Sequence, residues 1–520
     1  MEKFTPTPAN PWDYAKAAHL LRRAMIGPKE AEIRRAVSEG LDATIERLFT
    51  PFAPNMDLIA EWAGKEPLTR PFEPEGEGYW RWFWLVTGRR TGFAQWWMKI
   101  MIDAPVSLQE RMVLFWSGHF VTSFDFVQQA ETMYVLQKLF RDTAWGNFKQ
   151  LTKDVTIDPA MLIYLGGKDN FVSATDEAIN ENYARELLEL FTAGRVNRSG
   201  AANYTQTDVR HAARALTGWT VVESPTKGSA YLSLRAQYFP FRHDGGMKTI
   251  LGEYGAWQPL DVVDIIVRRR AVETATHLCT KLYRTFVSLD TASEASRGVI
   301  DELAATFITA QWEIRPVLEQ LLTSSHFFEA DNIGSLPKSG ADYLLGMMRV
   351  LGVQNVPDFE PTPAGETVAY RWNLSDMLLR MEAMGQRLFF PPDVSGWQGG
   401  RTWVSPSALV PRLKYARSIA LGTTRQRDWD YKTDFTHTYD PIAFANTLPS
   451  PNTARELIRD AAHLFLCEEP SEEEIAMLTQ ALMEGAPMHE WSITNAALRP
   501  QDRIRAMLAA MFTLPKFQLY

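Results

Sequence analysis

Along most of the chain, apolar residues recur at three- and four-residue intervals, which is the period of one helical face. The pattern predicts helices at 12–25, 29–38, 41–50, 107–117, 128–142, 177–193, 206–217, 260–268, 271–284, 294–309, 314–323, 338–351, 374–383, 406–420, 453–466, 471–483 and 501–512. Between 229 and 252 the period changes. SAYLSLRAQYFPF alternates as a strand does, HDGG offers a turn, and MKTILG resumes. The reading is a mainly α fold: a large multi-helix globular unit with a small β-hairpin insertion near 230–251. Breaks at 221–229, 354–366, 390–405 and 423–452 look like loops, and none is a long Gly/Ser linker. Residues 1–11 therefore read as an N-terminal tail and 12–520 as a single helical domain, with 453–520 a candidate C-terminal helical subdomain.

A chain of 520 residues can bury a large core without disulfides or metals. Its 54 basic and 62 acidic side chains leave a net charge of -8, and the densest basic cluster is only Arg268-Arg269-Arg270. That is not the basic footprint a nucleic-acid binder needs to neutralise phosphates. Cys279 and Cys467 sit in apolar helical contexts without metal or redox spacing, so both are expected reduced and unbonded to each other. No stretch approaches the roughly 20 apolar residues that span a bilayer. The opening MEKFTPTPANPWDYAKAA lacks a signal-peptide core, so the chain as written is expected in the cytoplasm.

Six segments carry candidate chemistry. In EAINENYARELLELFTA (177–193), Ile179, Tyr183, Leu187 and Leu190 form one stripe, Arg185 points away, and Glu186 falls on the stripe's edge between Asn182 and Glu189. A carboxylate there loses hydration. It is either a general acid/base or ligand, or one half of an ion pair with an arginine from another helix. In NYTQTDVRHAARALTGW (203–219), Thr205 and Asp208 resemble a capping box. Val209, Ala212, Ala213 and Leu216 form the buried face, so Arg210, His211 and Arg214 face either solvent or an anion-binding cleft. The turn Phe241-Arg242-His243-Asp244-Gly245-Gly246-Met247-Lys248 brings His, Asp and Lys together for proton transfer or metal ligation, or is simply an Asp-Gly turn. His119 follows Leu108, Met112, Phe115 and Trp116 at helical spacing, as a core histidine or, with His243 and Asp244, a metal ligand. Finally, the Pro/Gly-rich loop 389–405 carries Asp393, Trp397, Gln398 and Trp403, and either lines a pocket or lids the core. Trp80, Trp82, Trp84, Trp96 and Trp97 crowd one segment, as core or as a sugar platform.

The order of these segments is what carries a resemblance. AAHLLRRAMIGP, FWSGHFVTS, NENYARELLELFTAG, YTQTDVRHAARALTGW, RHDGGMKTILG, ATHLCTKLYRTFV, LLTSSHFF, FPPDVSGWQGG and the ending FTLPKFQLY resemble the successive blocks of the domain of unknown function 1800 family, from about residue 17 onward. Some members have histidine where this chain has Phe191, which weakens any idea that a histidine there is essential. The resemblance implies a bacterial protein, often encoded beside a secreted alkaline-phosphatase-like partner with a twin-arginine signal. Export alongside that partner is then the alternative to a cytoplasmic life. It implies no agreed activity, cofactor or catalytic residue.

Two functions are consistent with these residues. One is a hydrolase directed at glycans or phosphoesters, with Glu186, His243 and Asp244 as catalytic groups. Its substrate would be bound by Arg185, Glu189, Asp208, Arg210, His211, Trp397 and Gln398. The other is a non-catalytic binding or assembly partner of the alkaline-phosphatase-like protein. Convergence of Glu186, His243 and Asp244 on one open pocket separates the two.

Overall fold

The computed structural model describes residues 1–54, 77–172, 179–223, 234–353, 358–361, 367–371, 373–423, 425–427, 434–436 and 438–520. The fold is mainly helical. Buried apolar side chains from Phe4 to Phe517 form one contiguous cluster. The helix Ala271–Phe286 packs against Glu294–Thr309, which packs in turn against Ile314–Leu322. At the far end Pro500–Met511 lies against Glu472–Met483 and Pro406–Ala420. The first residues are fastened to this body: Phe4 is buried, its N–H donates to Thr323 O (2.8 Å), and Ser325 N–H donates to Glu2 O (2.9 Å).

Local chemistry explains where the helices start. Asp13, Asn147, Asp158, Thr205, Ser339, Ser405 and Ser471 each accept a backbone N–H of the first turn. Such a cap contributes about 1 kcal/mol. The Asn147 and Asp158 caps begin Phe148–Thr156 and Pro159–Tyr164, two helices that the hydrophobic period leaves unmarked. Buried charges are mostly paired. Arg141 donates to both Glu110 oxygens (2.8 and 3.0 Å), and Trp97 Nε1 donates to the second of them (2.7 Å). Trp96 and Trp97 are fully buried, whereas the side chains of Trp80, Trp82 and Trp84 lie outside those described.

Two expectations need correction. Of the helix expected at 177–193, residues 177–178 lie outside the described residues; 179–181 are not helical, and the helix begins at Asn182, where Asn180 turns back to accept the Asn182 N–H (2.9 Å). Ile179 is therefore off the stripe, and the run ends as a π-helical turn, Leu187–Phe191. The hairpin expected around HDGG is instead two hairpins. Leu234–Tyr238 pairs back with Trp219–Glu223, and Lys248–Ile250 pairs forward with Glu253–Gly255. The second pair turns at Leu251 (φ 48°) and Gly252 (φ 86°), positive at both central residues as a type I′ turn demands. Leu251 tolerates that conformation because its side chain is buried and its N–H is held by Asp208 Oδ1 (2.7 Å). Two further two-stranded sheets pair Asp358–Pro361 with Thr367–Arg371 and Arg425–Arg427 with Asp434–Thr436; all of these strands except Thr367–Arg371 lie within segments read as loops. Among the described residues no helix is long and apolar enough to cross a membrane. Cys279 and Cys467 are both free thiols.

Candidate functional site

The residues singled out from the sequence fall into three places. Around the 240–248 turn, Asp244 accepts Arg214 Nε (2.6 Å) and the Gly246 N–H (2.8 Å). Burial raises the Asp244 carboxyl, but these bonds and the Arg214 charge outweigh it and hold the group below its ordinary range. Lys248 is buried, with Nζ on the backbone oxygens of Asp244, Gly246 (2.9 Å) and Trp257 (3.4 Å). His243 Nδ1 lies 3.1 Å from Thr217 O. A carbonyl can only accept, so Nδ1 carries the proton and the buried Nε2 is a bare acceptor without a partner among the described residues. Burial keeps this imidazole uncharged. These contacts fasten one turn to the 206–215 helix.

The second place is the outer face of that helix. Arg185 (3.1 Å) and Arg210 (3.6 Å) converge on Glu181, which also accepts Gln206 Nε2 (2.6 Å). Asp208 completes the Thr205 capping box, and His211 Nδ1 accepts the Thr249 N–H (3.0 Å). Glu189 accepts the Tyr204 hydroxyl. Glu186 is half-buried, and burial followed by the Glu189 charge raises its carboxyl against a weaker pull from Arg185. With Asp393 and Asp125 it adds negative potential at Tyr164. Among the described residues, no hydrogen bond or ion pair joins Glu186 to His243 or Asp244. No three His, Cys, Asp or Glu side chains among the described residues group to hold a metal ion.

His119, Trp397 and Gln398 mark the third place, a cleft of about 540 Å³. Its walls come from the helices Gln109–His119 and Ala271–Phe286, the 395–403 loop, the start of Gly340–Leu351, and Tyr520. The loop can close on the first helix because residue 396 is glycine. Its φ is +79°, and a Cβ there would sit 2.7 Å from Gly118 O. Arg111 donates to both oxygens of Asp342 and, through Nη2, to Met25 O (2.9 Å). Burial opposes the Asp342 charge, but Arg111 prevails and keeps the carboxyl below its ordinary range. Burial pushes the Tyr520 phenol up to about 12, and its ring lies under Arg23 (4.8 Å) and Arg111 (5.7 Å).

Two of the lining residues, His119 and Lys281, are held from behind by the π-turn. A helix end leaves its last carbonyls unsatisfied, and wide turns of this kind recur at functional sites. His277 Nε2 (3.0 Å) and Lys281 Nζ (2.9 Å) both donate to Leu190 O, and His119 Nε2 donates to Phe191 O (3.1 Å). That last bond fixes the His119 tautomer. Nδ1 is left as an acceptor, and Lys281 Nζ donates to it across 3.1 Å. Burial, then Lys281 and His277, keeps His119 uncharged, and burial with Lys281 draws His277 down to about 3. Burial lowers Lys281 to about 8, with no carboxylate among the described residues opposing it. One turn further along the same helix, Arg284 lines the cleft and is exposed. It has no hydrogen-bond or ion-pair partner among the described residues.

A family model described as "Protein of unknown function (DUF1800)" matches residues 19–519. The chain belongs to that family. No curated protein and no solved structure matches it. In this DUF1800 protein the sequence reading reached the cleft through His119, Trp397 and Gln398 but passed over Lys281, Arg284, Arg111 and Asp342. A signal for Lys281 was there: it falls on the stripe of Leu278 and Thr285, as Glu186 was thought to fall on its own.

Proposed function

We propose that the protein is an enzyme acting on a small anionic molecule in this cleft and, among hydrolases, on a phosphoester in preference to a glycan. The observation that carries the proposal is Lys281: it lines a cleft beside the neutral His119 and one turn from Arg284, and among the described residues neither has a carboxylate partner. A glycosidase needs two carboxyl groups flanking the scissile bond. The described lining supplies only Asp342, already held by Arg111. Cationic groups outnumber it, which suits a phosphoryl group. Arg284 would bind the anion, and Lys281, anchored by His119 and Leu190 O, would offset charge gathering on the phosphoryl oxygens. Glu186 stands one turn before Leu190 and borders this reading, whereas His243 and Asp244 serve the 240–248 turn.

A panel of phosphomonoesters and phosphodiesters tests the proposal. Lys281→Met is expected to lower kcat and Arg284→Gln to raise KM. A panel without turnover, or turnover indifferent to both changes, refutes it. A second reading rests on a separate observation: Phe241 (78%) and Met247 (47%) stand exposed on the segment joining the two hairpins, and Tyr254 (68%) on the second hairpin. Such residues suit docking of the co-encoded alkaline-phosphatase-like protein, in the cytoplasm or during export with it. Co-purification of the pair, lost on combined Phe241→Ser and Tyr254→Ser, tests it, and cell fractionation reports the compartment.

A further inference from the structure

We propose that Lys281 is a nucleophilic amine that condenses with the carbonyl group of a small anionic aldehyde or 2-oxo acid held in the cleft. The inference rests on the assignment of the cleft as the site, but not on phosphoester hydrolysis. It follows from the hydrogen bonds of one nitrogen. Nζ donates to Leu190 O (2.9 Å) and to His119 Nδ1 (3.1 Å), and the His119 tautomer is fixed by its own bond to Phe191 O (3.1 Å). A neutral amine has two N–H groups, so both acceptors are satisfied without a third proton. Cε and these two bonds take three of the four tetrahedral directions, leaving the fourth for the lone pair in a residue that lines the cleft.

The surroundings favour the neutral form. An ammonium withdrawn from water needs a counter-charge. Among the described residues Lys281 has no acidic partner, and the cleft's one carboxylate belongs to Arg111. Burial brings the amine down to about 8, so a useful fraction is unprotonated near neutral pH. Arg284, unpaired among the described residues and one turn away on the same face, supplies the anchor for the ligand's carboxylate or phosphate.

The step balances without an oxidant or reductant. The Nζ lone pair adds to the carbonyl carbon, and one proton of the resulting N⁺ passes to the alkoxide oxygen. The carbon–oxygen bond then breaks. Both amine hydrogens leave with the oxygen as water, and a carbon–nitrogen double bond remains. His119 is here a positioning group, Arg284 a binding group.

Glyoxylate with sodium cyanoborohydride is the probe, followed by peptide mapping of the full-length protein. The expected result is one predominant adduct on Lys281, absent in Lys281→Arg. Its rate should rise with a midpoint near pH 8, whereas surface lysines respond nearer their ordinary value of about 10.4. Arg284→Gln, at an exposed position with no partner to lose among the described residues, should slow trapping at low glyoxylate by about tenfold, one charge-assisted contact. That variant keeps the test meaningful if Lys281→Arg does not fold. Labelling confined to surface lysines, or equal in wild type and Lys281→Arg, overturns the proposal, and so does trapping indifferent to Arg284→Gln. Phosphoester turnover is measured on the same preparation. Lys281-dependent turnover without trapping removes the amine chemistry alone, and trapping without turnover removes the hydrolase alone.

Discussion

Replacing Lys281 by methionine should make stability respond to pH in a defined way. In the folded chain burial lowers the ammonium from an ordinary 10.5 to about 8. The unfolded chain therefore holds a proton between about pH 8 and 10.5 that the folded chain has released. Stability rises with pH wherever the unfolded state binds more protons. Wild type should thus gain stability relative to Lys281→Met across that window, at up to about 1.4 kcal/mol per pH unit. From pH 7.5 to pH 10 the difference amounts to about 2.4 kcal/mol. Methionine also loses the bonds to Leu190 O and His119, at about 1 kcal/mol or more each, but that cost is the same at both pH values and cancels. Other groups that titrate over this range, Lys338 among them, are present in both proteins and cancel as well. Urea denaturation of the two proteins at pH 7.5 and pH 10 gives the double difference. In a cooperative transition of 520 residues, about 2.4 kcal/mol corresponds to only about 2 °C in Tm, so denaturant is the sharper assay. A double difference within about 0.5 kcal/mol of zero would mean that Lys281 keeps an ordinary pKa, and the physical basis for its reactivity would be gone.

Other outcomes follow from the same contacts. Asp342→Asn should cost about 3–5 kcal/mol by chemical denaturation, since it strands the buried Arg111; a loss below 1 kcal/mol would contradict that pairing. Because its folded value is depressed, the contribution of Asp342 should be complete above about pH 4 and disappear as pH falls through that lower value, read as the acid limb of a stability profile lost in Asp342→Asn. Gly396→Ala should destabilise by about 1–2 kcal/mol or more and displace the Trp397 loop, visible in tryptophan fluorescence. Glu186→Gln should change stability by no more than about 0.5 kcal/mol, because no hydrogen bond or ion pair of Glu186 appears among the described residues; a loss of several kcal/mol by denaturation would place it in a buried pair after all. Thiol titration under denaturing conditions should find both Cys279 and Cys467 free, with Cys279 slow to react in the native protein because it is buried.

The sequence by itself determined the helical class, most helix positions and their starts. Period, capping residues and burial stripes are properties of a few consecutive residues, and Thr205 with Asp208 makes the point: read as a capping box, they form one. It also carried the family resemblance, because that lies in the order of local blocks. Local logic misjudged 177–193, where the folded-back Asn180 side chain cut the helix short. It also misplaced the HDGG turn, because Asp244 was claimed by Arg214 from another element. The cleft lay beyond its reach altogether. Lys281 looked like one more helical lysine. Only packing set it against a carbonyl 91 residues back in the chain and an imidazole 162 residues back, with no carboxylate partner among the described residues. Hydrogen-bond partners and loss of hydration depend on which distant segments meet, and no window along the chain contains that information.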